Sequence, residues 1–93
     1  MLVYQLRLVE LGEYLEPVFK SRESADKFKE KYKTRNIVIK EQFIENIEDD
    51  TVYRIKSEDS SGYFLEDEIF SNIEEATSAL KNKHQSIIES RLH

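Results

Sequence analysis

Glu66, Asp67 and Glu68 stand consecutively, and on an extended strand Glu66 and Glu68 share one face while Asp67 takes the other. Two carboxylates in distinct environments are what glycoside hydrolysis requires. Here they sit in an acidic stretch with no accompanying pocket signature, so they read as exposed surface. Glu58, Asp59 and Ser60 could offer oxygens to Ca²⁺, but their spacing does not match an EF-hand loop. His84 follows Leu80 by four residues on the expected second helix, and no Ser or Cys nucleophile motif accompanies it; His93 is terminal. With no Cys and two His, zinc fingers, thiolate chemistry and disulfide frameworks are excluded. Two glycines cannot build a glycine-rich phosphate loop. The chemistry-bearing residues therefore predict no catalytic centre, no metal and no cofactor, and direct attention to surface recognition.

Charge is segregated along the 93 residues, whose net charge is -5. From Lys20 to Arg35 seven basic residues meet three acidic ones. From Glu41 to Glu75 twelve acidic residues meet only Arg54 and Lys56. The acidic field repels nucleic acid and attracts a basic protein surface; a solvated surface that keeps a small domain soluble is the plainer reading. The basic stretch carries Lys27, Lys31 and Lys33 as phosphate-contact candidates. Glu23, Asp26 and Glu30 nevertheless lie within i,i+3 or i,i+4 reach of Lys27 and Lys31, as on an ordinary exposed helix, which argues against nucleic acid.

The elements that must position these groups follow from periodicity. Leu2, Tyr4, Leu6 and Leu8 alternate with Gln5 and Arg7, predicting a half-buried strand over 2–9. Leu11-Gly12-Glu13 supplies a turn, and Tyr14 to Lys20 resumes a β-rich run in which Pro17 marks an edge strand or a bulge. Ser21 is placed to cap a helix over about 22–32, with Ala25, Phe28 and Tyr32 at helical spacing. Ile37-Val38-Ile39 and Phe43-Ile44 predict a linking strand over 36–46. Val52-Tyr53-Arg54-Ile55-Lys56 then echoes Val3-Tyr4-Gln5-Leu6-Arg7, Gly62 matches Gly12, and Tyr63 to Phe70 takes the place of Tyr14 to Phe19. Ser71 with Glu74 forms a capping box for a second, longer helix reaching about Arg91, with Ile73, Ala76, Leu80 and Ile87 on its apolar stripe. The offset between matched residues rises from 49 through 50 to 51, placing two extra residues in the second hairpin.

The expected fold is α+β: a single domain, 1–93, with a duplicated strand-strand-helix unit (2–33 and 52–91), about five mostly antiparallel strands, and both helices on one sheet face. Helices on one face leave the other open, so Val3, Val9 and Leu11, or Tyr63 and Leu65, are candidates for a dimer or partner patch. No apolar run approaches the roughly 20 residues that cross a bilayer, and the N-terminus lacks a basic n-region; a soluble, cytoplasmic protein is expected.

In its general style, short, acidic, rich in Lys, Glu and Ile and free of Cys and Trp, the chain resembles small orphan proteins encoded by phages and prophages of low-GC Gram-positive bacteria. The resemblance implies a non-enzymatic accessory role, such as binding and inhibiting a host or defence protein. The expected partner-binding residues are Glu48, Asp49 and Asp50 in the linker, Glu66, Asp67 and Glu68 in the second hairpin, and Tyr63 with Leu65 beside them. They would meet a protein with a basic surface, acting as an inhibitor or decoy. A homo-oligomer, most simply a homodimer, that uses the apolar sheet face is the alternative.

Overall fold

The computed structural model describes all residues, Met1–His93. Its strands are β1 (Leu2–Leu8), β2 (Glu13–Phe19), β3 (Ile37–Phe43), β4 (Thr51–Asp59), β5 (Gly62–Phe70) and β6 (Gln85–Arg91). The helices are α1 (Arg22–Lys29), extended by a 3-10 turn over Glu30–Tyr32, and α2 (Ile73–Ser78). The fold is α+β, as expected, but it has six strands where about five were expected, divided between two antiparallel three-stranded sheets ordered β2-β1-β3 and β5-β4-β6. In each sheet the outer strands run parallel to one another on either side of the central one. Parallel strands need a crossover, and α1 and α2 supply it.

Three expectations about architecture are corrected. The two helices do not share one sheet face: α1 packs on β1, β2 and β3, and α2 on β4, β5 and β6. The stretch expected to link two units is β3, a full member of the first sheet paired with β1 from Leu2↔Phe43 to Leu8↔Ile37. The second helix stops at Ser78 instead of continuing to Arg91, and is the shorter of the two. Beyond it Asn82 accepts the His84 amide through Oδ1, closing a turn, and the β-branched pair Ile87-Ile88 aligns with Ile55 and Arg54 on β4. A strand there satisfies the second edge of β4, which a helix would leave unpaired.

The caps show why the helices begin where they do. Ser21 Oγ accepts the Ser24 amide at 3.1 Å, as its position predicts. For α2 the cap is Asn72, one residue later than expected, whose Oδ1 accepts the Glu75 amide at 2.8 Å. Gly12 occupies the left-handed region at φ 67° in the first hairpin turn.

The sheet faces turned away from the helices meet. Val3, Val18, Ile44, Val52, Ile69 and Leu92 form one buried cluster drawn from both halves. A second cluster, Leu6, Phe19, Ala25 and Ile37, lies under α1. The molecule measures 36 × 35 × 16 Å between Cα atoms. Gln5, expected on the polar face of a half-buried strand, is buried because that face packs against the other sheet.

Both hairpins carry a bulge at the same place. Gln5 pairs with Val18 and Arg7 with Tyr14, so Leu15, Glu16 and Pro17 stand opposite Leu6 alone. Arg54 pairs with Ile69 and Lys56 with Leu65, so Glu66, Asp67 and Glu68 stand opposite Ile55 alone. Pro17 thus occupies both a bulge and an edge strand. A bulge leaves backbone groups outside the ladder, and the opposite half supplies their partners. Arg54 Nη1 donates to the Leu15 and Glu16 carbonyls at 2.8 and 2.9 Å. Gln5 Nε2 donates to the Asp67 carbonyl at 2.6 Å. The two side chains also meet each other, Arg54 Nη2 donating to Gln5 Oε1 at 2.6 Å.

The chain's last residues fasten the sheets at one edge. The His93 amide donates to Val18 and its carbonyl accepts from Lys20. Gln42 does the equivalent from the first sheet, its side chain donating to the Ile69 carbonyl and accepting the Ile69 amide. Leu92 is 6% exposed between the sheets. Leu92→Ala is therefore expected to cost about 2–4 kcal/mol, as buried Leu truncations do, measured by urea unfolding; a loss within about 0.5 kcal/mol would place Leu92 outside the core.

Candidate functional site

The acidic residues singled out by the sequence divide among four environments. Asp50 is half-buried and accepts a hydrogen bond from Lys20 Nζ at 2.7 Å. That bond, with the Lys20 charge, holds its carboxyl below the usual carboxylate range. Asp49 and Asp50 have φ of 53° and 52°, and Asn46 has φ of 60°. Asp and Asn tolerate this left-handed conformation better than other non-glycine residues. Two of the linker's acids thus serve the path of the chain, and the Asp50 carboxylate is engaged by Lys20.

Glu66 is also engaged. It turns beneath α2, half-buried, and accepts the Ser57 hydroxyl at 2.9 Å. Asp67 and Glu68 are exposed. Leu65 is 5% exposed and belongs to the interior, because its face of β5 packs toward the other sheet. Val3 is fully buried for the same reason, while Val9, Leu11 and Tyr63 remain exposed. The open apolar sheet face anticipated from one-sided helix packing is therefore occupied by the second sheet. Tyr63 is 63% exposed, with Lys56 Nζ 5.0 Å from its ring centroid, beside a groove that includes Tyr14, Leu15, Phe28, Tyr32 and Phe64.

The fold gathers the remaining acids on one flank. A groove of about 390 Å³ runs between the end of β3 and the junction of β5 with α2, lined in part by Phe43, Glu45, Glu68 and Glu75. A neighbouring groove holds Glu48 and Glu74, and the two share Asn46 and Ser71. Glu48 from the linker and Glu68 from the hairpin, 20 residues apart in sequence, thus line one continuous surface. The ion pairs in the molecule are Lys20–Asp50, Lys27–Glu23 and Lys56–Glu58. None of them neutralises Glu45, Glu48, Glu68, Glu74 or Glu75. Phe43 lies within this flank and is 64% exposed. Neither Phe43 nor Glu45 stood out in the sequence; the run Phe43-Ile44 read as strand core, and only pairing with the terminal residues of β1 places Phe43 at the open end.

Other candidates find structural roles. In the second hairpin turn Asp59 Oδ1 accepts both the amide and the hydroxyl of Ser61, which lowers its carboxyl below the ordinary range. Lys27 pairs with Glu23 across one helical turn, and Lys31 lies over the Phe28 ring. His84 sits in the turn before β6, and His93 packs against Phe19 with ring centroids 5.8 Å apart. No helix is long and apolar enough to cross a membrane. Compared with known protein families, with curated proteins and with solved structures, the chain shows no match.

The Lys20–Asp50 pair ties the linker to the end of β2. A carboxyl held below its unfolded value contributes stability that is present above that value and lost as pH falls through the folded one. Asp50→Asn keeps the residue's tolerance of positive φ and removes the charge. The variant is expected to unfold at lower urea than wild type at about pH 7, by a margin that narrows at about pH 2. An equal difference at both pH values would assign the effect to something other than the ion pair.

Proposed function

We propose that this protein is a non-enzymatic protein-binding module that docks a basic protein surface onto the flank formed by Glu45, Glu48, Glu68, Glu74 and Glu75. The observation that carries this reading is the coincidence of five acids lacking internal cations with an exposed aromatic, Phe43, in one grooved surface. Charge of one sign steers a partner of the other, and an aromatic anchor within it supplies contact area that charge alone does not. The compositional likeness to phage and prophage proteins points toward a host or defence protein as the target, acted on by occlusion. We also read the chain as a duplicated strand-strand-helix-strand unit; Val3/Val52, Tyr4/Tyr53, Gly12/Gly62, Phe19/Phe70 and Ala25/Ala76 support it.

The test is recovery of a partner by the tagged protein from nuclease-treated lysate of a low-GC Gram-positive bacterium, at low and high salt. Binding through this flank weakens steeply with salt. Replacing Glu45, Glu68 and Glu75 with Lys is expected to lower the recovered partner's affinity by about tenfold or more while circular dichroism stays unchanged. Full affinity in that variant would overturn the reading. These three positions are chosen because each is exposed; Glu66, which holds Ser57, is left intact.

A further inference from the structure

The two halves place different side chains at corresponding points of the same framework. In the first half Leu8 on β1 pairs with Ile37 on β3, and Leu15 opens the bulge; all three belong to the apolar cluster under α1. In the second half Ser57 on β4 pairs with Gln85 on β6, and Glu66 opens the bulge. Phe28, seven residues after the Ser21 cap, packs against Phe19 with ring centroids 5.4 Å apart. Ala79 stands seven residues after the Asn72 cap, and the matching Phe70 has no aromatic above it. Where the first half is filled, the second is open. A cleft of about 440 Å³ lies beneath the C-terminal end of α2, lined by Ile55, Phe70 and Ala79 on its apolar side and, on its polar side, by Gln42, Gln85, three carboxylates (Glu66, Asp67 and Glu68) and one cation, Lys81, so acids outnumber bases there by two.

The polar side of the cleft is wired in one direction. The Lys81 amide donates to Gln85 Oε1 at 2.7 Å, Gln85 Nε2 donates to Ser57 Oγ at 3.0 Å, and Ser57 Oγ donates to Glu66 Oε1 at 2.9 Å. Every donor points toward Glu66, which ends the chain as a carboxylate acceptor. Ser57, at 8% exposed, is fixed by this relay, and so the carboxylate is oriented. Glu66 makes no ion pair with any Lys or Arg of the chain. A held carboxylate at the end of a donor relay calls for a further donor, and a cationic one makes the strongest hydrogen bond.

We propose that the cleft beneath α2 is a binding site for an alkylammonium or alkylguanidinium group, its head on Glu66 and its carbon stem against Ile55, Phe70 and Ala79. The group could arrive on a free aliphatic amine or as a Lys or Arg side chain, and both present the same chemistry. The cleft shares Glu68 with the acidic flank, but its test uses no protein partner and its deciding variant leaves Glu68 unchanged, so either reading can fail while the other stands.

The experiment is a titration of the ¹⁵N-labelled full chain with 1,4-diaminobutane, with agmatine, with Nα-acetyl-lysine methylamide and with neutral 1-butanol, followed by amide chemical shifts. Saturable shifts centred on Ser57, Glu66, Ala79 and Gln85 are expected with at least one of the cations. Binding by the diamine or agmatine alone assigns the site to free amines, and binding by the lysine derivative alone assigns it to a protein side chain. Glu66→Gln, which preserves shape and the Ser57 bond, is expected to weaken binding by at least about tenfold. Ala79→Phe, which restores the packing of the first half, is expected to abolish it. Unsaturable shifts with every cation, equal binding of 1-butanol, or unchanged affinity in Glu66→Gln would each overturn the proposal.

Discussion

A guanidinium buried between two sheets sets the terms for the rest of this molecule. Arg54 is fully buried and has no carboxylate within ion-pairing distance. Removing such an ion from water costs several kcal/mol even after relaxation. Three hydrogen bonds offset that cost, two to bulge carbonyls and one to Gln5, while Nε has no partner. Burial lowers the guanidinium from its ordinary value to about 10, with Glu16 and Tyr14 opposing the change, so it remains cationic at neutral pH. The bulge and the arginine are mutually dependent. Without Arg54 the Leu15 and Glu16 carbonyls would be stranded, and without the bulge the charge would have no acceptors.

From that constraint follows the placement of the acidic hairpin. The segment Glu66-Asp67-Glu68 is a bulge held by Gln5 through the Asp67 carbonyl, as Leu15-Glu16-Pro17 is held by Arg54. Three consecutive residues opposite one cannot alternate as a regular strand does. All three residues consequently reach the cleft at the C-terminal end of α2, and Glu68 also lines the outer flank with Glu45 and Glu75. One framework thus carries two differently finished surfaces: an apolar helix seat in the first half, and a polar cleft beside an acidic groove in the second.

Much of this was legible in the sequence, and what was not has identifiable causes. The first five strands, the start of α1 at Ser21 and the role of Pro17 follow from alternation, capping chemistry and the missing amide of proline. The sixth strand was hidden because Ile73, Ala76, Leu80 and Ile87 satisfy a helical period, and nothing local reveals that β4 requires a second partner. The sandwich was hidden because Gln5 and Arg54 sit where a half-buried strand would show polar residues to water; their burial is a property of the other sheet. Leu65 was read as surface for the same reason. Asp49 and Asp50 also set the path of the chain through their left-handed backbone angles, and Lys20 bonds Asp50, neither of which sequence alone reveals. The two adjoining grooves that bring Glu45, Glu48 and Glu68 onto one flank form only when β3, β5 and α2 are assembled, and residues this distant in sequence carry no pattern that announces them.

Arg54 and Gln5 act as one unit joining the halves, and a double-mutant cycle measures how strongly they are coupled. Urea unfolding of wild type, Arg54→Met, Gln5→Met and the double variant gives the interaction energy between the two side chains. Coupling of about 1 kcal/mol or more is predicted, because losing either partner strands polar groups that the other was holding. Strictly additive losses, within about 0.3 kcal/mol, would show that the two side chains act separately and that the sheets are joined by their apolar cluster and the edge hydrogen bonds of His93 and Gln42.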